Sequence, residues 1–313
     1  MMQTTGTLVA IALAALTFPP FRAAGEAGMN VCSKTARAAS HACEAGAQDD
    51  YWTSYGRCTN DGGSAASDAC KSTAKTERSD ALDDCAAQTK ARLDLCGVLG
   101  QAAYQPVLSP SDFLSKAQIV ANPNPYWPLI PGSVWHYAGG GELNTVTVTD
   151  QTRDFDGITT IVVHDVVTVG GETAEDTNDY YAQDVQGNVW YFGEISQGFE
   201  NGDLVSLEGS WLTGVDFAKP GIVMKGTRTV GDVYRQEFLL GEAEDVAEIT
   251  STTGTESTPG ASCSGTCFVT RETSGLEPDV AEAKYYVAGI GVILEVDLET
   301  LDRVELLDYT PGP

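Results

Sequence analysis

Six cysteines near the N-terminus have a symmetric spacing that predicts a folded-back pair of rods. The gaps between them are 11, 15, 12, 15 and 11 residues, so the series reads the same in both directions. Two antiparallel rods folded about residue 64, inside the loop-forming stretch TNDGGSAAS, would bring the cysteines together in nested pairs. The predicted disulfides are Cys32–Cys96, Cys43–Cys85 and Cys58–Cys70.

The two rods are predicted to be α-helices, because both are rich in the good helix formers Ala, Lys, Glu, Arg and Gln. At about 100° per residue, a gap of 11 returns to within about 20° of the same face and a gap of 15 to within about 60°. Each helix therefore presents its cysteines along one stripe. Three cross-links of about 2–4 kcal/mol each would stabilise a hairpin that has few large apolar residues. The absence of C-x-x-C argues against a metal or haem site here.

The N-terminus indicates export. An apolar stretch from Leu8 to Phe18 is too short to span a bilayer and ends at Pro19 and Pro20, which predicts a signal peptide over residues 1–27. Eight cysteines suit an oxidising compartment, so the expected location is secreted or periplasmic. No later segment is apolar enough to cross a membrane. A net charge of -26 disfavours nucleic acid and anionic lipid as partners.

The rest of the chain divides into a linker and a sheet. After the Cys-rich hairpin of residues 28–100, prolines crowd residues 101–131, which predicts a Pro-rich linker with a short helix capped by Ser109 or Ser111. From residue 132 to 313 the sequence alternates Val, Ile, Thr and aromatic runs with Gly-containing turns. The predicted fold is mainly β: an antiparallel meander of around ten strands that closes into a lipocalin-like barrel or half-barrel. Cys263 and Cys267 are expected to form a local disulfide.

The stretch DVQGNVWYFGE, residues 184–194, reads as a hairpin turn followed by a strand. Strict alternation along this strand places Val189 and Tyr191 on one face. It places Trp190, Phe192 and Glu194 on the other face. The pattern of an EF-hand calcium loop fails, because Gly and Glu are not at the required positions. A weaker oxygen-ligand site that includes Asp184 stays open.

Aromatic and acidic residues of the sheet are the candidates for a ligand site. They would either pack an ordinary core or line a cavity inside a barrel. The candidate ligand-binding residues are Tyr181, Trp190, Phe192, Glu194, Glu208, Trp211, Tyr234 and Glu237.

Carboxylates also cluster around residues 237–248, where three interpretations stay open. The cluster would be a solvated face or, with Asp184, Glu242, Glu244 and Asp245 as ligands, a divalent-cation site for which calcium is the suitable ion. Alternatively, two carboxylates would perform acid–base hydrolysis. The candidates for that pair are Glu194, Glu208, Glu237 and Asp245. No G-x-S-x-G, H-E-x-x-H or glycine-rich phosphate loop is present.

Taken together, NPYWPLIPGSVWHYAG, DYYAQDVQGNVWYFGE, EGSWLTGVDFAKPGIVM, YRQEFLLGEAEDVAE and KYYVAGIGVILEV resemble a group of uncharacterised bacterial exported proteins. Their shared pattern runs from N-P-Y-[FW]-P-L-x-P-G to Y-A-x-G-[VI]-G, from which YYVAGIG departs slightly. The resemblance covers about residues 122–308 and leaves the hairpin outside. It implies a β unit and no specific chemistry. The first and last strands also look like those of lipocalin-type carriers.

Three functions follow as hypotheses. The leading one is an exported module that binds a small, apolar or lipid-like ligand, without catalysis. The second is a calcium-dependent extracellular structural protein, and the third is a carboxylate-pair hydrolase. The helical hairpin would brace the sheet or dock a protein partner.

Overall fold

The computed structural model describes residues 30–61 and 65–313, and the predicted signal peptide lies outside this part of the chain. Within the described residues, no helix combines the length and apolar character needed to cross a membrane. The architecture is a disulfide-linked helical hairpin followed by a nearly closed antiparallel β-barrel. The predicted fold class is therefore confirmed.

The hairpin consists of α1 (Val31–Asn60) and α2 (Ala65–Leu99). The three nested disulfides predicted from the spacing are all present, with Cα–Cα distances of 5.6, 5.7 and 5.7 Å. Small residues such as Ala36, Ala39 and Ala74 are buried between the helices, so the two backbones run close together. The local pair Cys263–Cys267 is also confirmed. The far end of the hairpin carries the exposed ring of Trp52, and a partner docked on this rod stays a prediction.

Residues 100–131 pack against the barrel and do not form a separate spacer between the barrel and the hairpin. The predicted linker helix is α3 (Lys116–Ala121), but its capping box is formed by Ser115 and Gln118. The predicted cap at Ser109 or Ser111 is wrong, because Pro110–Asp112 form only a short 3-10 turn. Residues 122–131 pack across one end of the barrel as a plug. The plug is fixed by hydrogen bonds from Asn124 N to Gln183 Oε1, 2.8 Å, and from Gly289 N to Pro125 O, 2.7 Å.

The described sheet has fifteen strands, more and longer than the ten or so that the sequence predicts, because several hairpins extend beyond their apolar runs. The strands are β1 (Val134–Gly139), β2 (Glu142–Phe155), β3 (Ile158–Val169), β4 (Glu172–Gln183), β5 (Val189–Glu200), β6 (Asp203–Ser206), β7 (Trp211–Leu212), β8 (Lys219–Met224), β9 (Val233–Arg235), β10 (Glu237–Phe238), β11 (Asp245–Ser257), β12 (Ser262–Ser274), β13 (Ala281–Val287), β14 (Gly291–Asp297) and β15 (Arg303–Thr310).

Neighbouring strands run in the order β10-β8-β5-β4-β3-β2-β1-β15-β14-β13-β12-β11-β9, with β6 and β7 also paired to β5. The first and last strands of the domain are thus neighbours. The two ends of the order, β9 and β10, are consecutive in sequence, so the sheet curls back on itself there. At this seam a Cβ on Gly221 of β8 would lie 2.3 Å from the backbone carbonyl carbon of Gln236.

A buried ion pair joins the hairpin to the barrel. Nε and Nη2 of Arg92 in α2 donate to the two carboxylate oxygens of Glu244 at 2.8 and 2.9 Å. The side chains are only 6% and 3% exposed. The backbone N–H of Gly241 donates to the same carboxylate at 2.8 Å. Beside this pair, the hydroxyl of Tyr104 donates to Pro220 O at 2.9 Å. The hairpin therefore docks in a defined position on the seam side of the barrel.

We expect Arg92→Met to lower the free energy of unfolding by about 3–5 kcal/mol, because it leaves the Glu244 carboxylate buried without a cation. Urea unfolding followed by tryptophan fluorescence measures the change. Lys90→Met is the matched control, since the Lys90–Asp94 pair lies exposed on the same helix and its loss should cost less than about 1 kcal/mol. Equal effects from the two variants would contradict the docking role of Arg92.

We also expect Gly221→Ala to destabilise the barrel by about 1–3 kcal/mol, because the new methyl group overlaps the backbone of the seam. The same substitution at Gly56 in α1 meets no atom within 4 Å and should stabilise the chain by about 0.5–1 kcal/mol through helix propensity. Thermal unfolding of the two variants distinguishes the effects by sign. A neutral Gly221→Ala would show that the seam is loose.

Candidate functional site

A cavity of about 350 Å³ lies inside the barrel. The plug residues 126–129 form its floor, and the ring centroid of Trp127 lies 5.4 Å from that of Tyr181. Trp135 and Tyr137 of β1 form part of the wall. Their polar atoms face the backbone, since Trp135 Nε1 donates to Ile290 O at 2.8 Å and the Tyr137 hydroxyl donates to Val292 O at 3.1 Å. The part of the cavity next to the floor is thus lined by aromatic and aliphatic groups.

Three hydrogen-bond acceptors line one side of the cavity, on the adjacent strands β2, β3 and β4. They are Asn144, Asp165 and Asp179. Asn144 Nδ2 donates to Asp165 Oδ2 at 3.3 Å, and the hydroxyl of Tyr191 donates to Asp179 Oδ1 at 2.6 Å. Among the described residues, the remaining oxygens Asn144 Oδ1 and Asp165 Oδ1 are buried without any hydrogen-bond partner. No ion pair in the described chain includes either aspartate.

The cavity also contains one cationic side chain, Lys284 of β13. Its ammonium lies 3.0 Å from Glu272, 3.2 Å from Glu295 and 3.7 Å from Glu282, on the two strands that flank it and on its own. Burial works to lower the pKa of Lys284, but these three carboxylates outweigh it and raise the pKa. The hydroxyl of Tyr286 also donates to Glu272 at 3.2 Å. Lys284 is therefore a permanent cation that its own glutamates already neutralise.

A second acidic group, formed by Glu194 and Glu237, lies next to Tyr191 across β5 and β10. The Tyr191 hydroxyl contacts Glu194 as well as Asp179, and Glu237 lies within electrostatic range of Glu194. Burial raises the pKa of Glu194 to about 7, against the hydrogen bond from Tyr191, which lowers it. Burial also raises the pKa of Asp165 to about 6 and holds the pKa values of Asp179 and Glu237 well above their ordinary range.

The prediction that Glu194 shares a face with Trp190 and Phe192 is wrong, and the reason is a bulge. Asp179 of β4 pairs with Glu194 of β5, and the next pair is Tyr181 with Tyr191. One residue of β4 therefore lies opposite two residues of β5, which holds one extra residue. The extra residue is accommodated at Gly193, whose φ is 132°, a conformation that favours glycine. The bulge resets the alternation and places Glu194 on the same side as Tyr191.

The other predicted ligand residues are divided among three places. Tyr181 lines the cavity, while Trp211 and Tyr234 belong to the surrounding barrel core. Trp190 and Phe192 face outward and pack with Phe113 in a second cluster outside the lumen. Glu208 is exposed on the loop between β6 and β7, and it joins neither the cavity nor the Glu194–Glu237 group.

Sequence reasoning missed most of the cavity wall: Trp127, Trp135, Asn144, Asp165, Asp179 and Lys284. One signal was available for Asp165. It occupies an inward position between Val163 and Val167 in a strand whose alternate residues are valine, where a charged side chain is out of pattern. No comparable signal marks Asn144 or Lys284, because their neighbours on the inner face come from other strands.

The four predicted metal ligands are not gathered into one site. Among the described residues, no three His, Cys, Asp or Glu side chains are placed to hold a metal ion. Asp184 instead organises its turn: it accepts hydrogen bonds from Gln186 N, Asn188 N, Asn188 Nδ2 and Trp190 Nε1. Glu244 is committed to Arg92, and Glu242 is exposed on the adjacent turn. Among the described residues these four side chains therefore do not form one site, and a calcium-dependent role stays a prediction.

Comparison with known proteins adds a distant structural similarity. No family model matches the chain, and no curated protein matches it. A crystal structure of an exported protein with a YmcC-like fold from Bacteroides fragilis is similar at 12% identity and a TM-score of 0.34. The match covers 58% of this chain and 96% of that chain. At this level, the similarity assigns no function.

The raised pKa of Glu194 predicts how stability depends on pH. Because the folded state holds a proton on Glu194 up to about pH 7, while an unfolded Glu loses it near pH 4.3, the contribution of this group falls as pH rises through that window. We expect Glu194→Gln to flatten the decline of the unfolding free energy between about pH 5 and pH 8, measured by urea denaturation.

The control for this experiment is Glu208→Gln, which makes the same change on the exposed β6–β7 loop. The unfolding free energy of Glu208→Gln should decline with pH as steeply as that of the wild type. A Glu194→Gln variant with an unaltered slope would mean that this carboxyl group is solvated and ionised at neutral pH.

Proposed function

We propose that this protein is an exported small-molecule-binding module whose ligand occupies the barrel lumen. The observation that carries the proposal is the cavity of about 350 Å³, which combines an aromatic floor with a few polar groups on one wall. Ligand sites in proteins have typical volumes of about 300–1,000 Å³ and this composition. The volume suits a molecule of the size of an amino acid or a small aromatic compound.

The chemistry of the wall argues against a wholly apolar ligand. Asp165, Asp179 and Glu295 line the same cavity as the aromatic rings. An alkyl chain placed against them would remove their remaining water without supplying a hydrogen bond, which is costly. A ligand with an apolar body and one polar end fits both parts of the cavity.

The four disulfides support export, because such bonds persist in oxidising compartments outside the cytoplasm. The hairpin then serves as a rigid attachment to the seam side of the barrel. Its cross-links and the Arg92–Glu244 pair keep it in place without a large core of its own.

Acid–base catalysis by Glu194 and Glu237, which lie beside Tyr191 and outside the lining of the cavity, is a second candidate function. The observation in its favour is the convergence of Glu194 and Glu237, since a carboxyl group with a pKa of about 7 exchanges protons near neutral pH. Turnover of chromogenic glycoside or ester substrates by the wild type, lost in Glu194→Gln, would assign catalysis rather than binding.

Native mass spectrometry of the protein purified from its exported fraction tests the binding function. We expect a bound organic mass in the wild type. Val146→Phe should abolish it, because the larger side chain projects into the cavity. Thr147→Phe, one residue along the same strand and on its opposite face, is the control and should retain the mass. Apo masses for the wild type, together with no binding from a library of small compounds, would refute the proposal.

A further inference from the structure

We propose that the ligand of the lumen is a protonated organic amine with an apolar or aromatic body, held by Asp165 and Asp179 against the aromatic floor. This inference rests on the proposed function and specifies the chemical class of the ligand. Three observations support it: the unsatisfied hydrogen-bonding groups of the wall are acceptors, the carboxylates of Asp165 and Asp179 have no cationic partner in the described chain, and the floor is aromatic.

The unused groups on the wall accept hydrogen bonds. Asp165 Oδ1 and Asn144 Oδ1 have no donor among the described residues. Asp179 is only 8% exposed, and its Oδ1 accepts a hydrogen bond from the Tyr191 hydroxyl. A ligand that completes these groups must therefore donate hydrogen bonds. A simple carboxylate has only acceptors to offer and would be repelled.

The charge balance favours a cation over a neutral donor. Among the described residues, Lys284 is the one cationic side chain that lines the cavity, and it is already surrounded by Glu272, Glu282 and Glu295. Asp165 and Asp179 have no cationic partner in the described chain. Buried carboxylates without a partner are costly, and a bound ammonium group would remove that cost through charge-assisted hydrogen bonds.

The floor accommodates the rest of such a molecule. Trp127, Trp135, Tyr137 and Tyr181 line the cavity from its plugged end upward. Aromatic faces attract organic cations and pack well against apolar bodies. A bare metal ion would use none of these rings, and no three acidic or histidine side chains of the described residues are arranged to hold one.

Three probes of similar size and different charge test the inference. They are 2-phenylethylamine, 2-phenylethanol and phenylacetate, titrated calorimetrically into the protein at pH 7.5. We expect the amine to bind about tenfold or more tightly than the alcohol, because it forms charge-assisted hydrogen bonds to a buried carboxylate. Phenylacetate should show no binding.

Asp165→Asn and Asp179→Asn are the informative variants, since each removes a charge and keeps the shape. Both should reduce the preference for the amine over the alcohol to about threefold or less. Asp176→Asn is the control, because Asp176 lies on β4 with Asp179 but pairs with His164 on the other face of the sheet. Thermal melts of all three variants report whether they fold.

The possible results distinguish the cation inference from the proposed binding function. If the amine and the alcohol bind equally and Val146→Phe abolishes both, the lumen binds small molecules but does not select cations. If neither probe binds while native mass spectrometry finds a bound organic acid or neutral molecule, the cation inference fails and the binding function stands. If no probe binds and every native mass is that of the apo protein, both fail. An amine preference that survives in Asp165→Asn and Asp179→Asn would overturn the assignment of these residues.

Discussion

Closure of the sheet at one seam is the constraint on which the rest of this structure depends. A fifteen-stranded open sheet would expose both its edges and its inner face. The chain nearly closes it by passing from β9 at one end of the strand order to β10, the next strand in sequence, at the other end. Their backbone lies so close to β8 that only glycine fits at Gly221. Once the sheet is closed, its inward side chains share one lumen, and the plug over one end turns part of it into a cavity.

The lumen contains more negative charge than folding alone would favour. Three glutamates share the one ammonium of Lys284, which lies 3.0–3.7 Å from each of them. Asp165 and Asp179 of the cavity wall, and Glu194 beside Tyr191, form no ion pair in the described chain, and burial raises the pKa of each. A core of the same volume built from apolar residues would be more stable. Groups that cost stability in this way are concentrated at functional sites.

The sequence was most informative where structure is local or where covalent geometry limits the choices. The hairpin and its three disulfides follow from helix periodicity and the reach of a disulfide bond. The β class follows from alternation and turn residues. Alternation failed at Glu194, because one bulge residue at Gly193 reverses the face of everything after it. The contacts of Lys284 and the Arg92–Glu244 pair join positions distant in the chain, and nothing in a single sequence specifies them.

The segment from Glu237 to Glu244 links the hairpin to the buried acidic group beside Tyr191. At one end, Glu237 belongs to the buried acidic group beside Tyr191. At the other end, Glu244 holds Arg92 of α2, and the N–H of Gln236 donates to Asp245 O at 2.8 Å, which closes the segment into a loop. The same loop therefore carries both the ion pair to the hairpin and Glu237 of the acidic group beside Tyr191. The helical hairpin is thus connected to this acidic group through one short segment, although among the described residues neither the hairpin nor Glu237 lines the cavity.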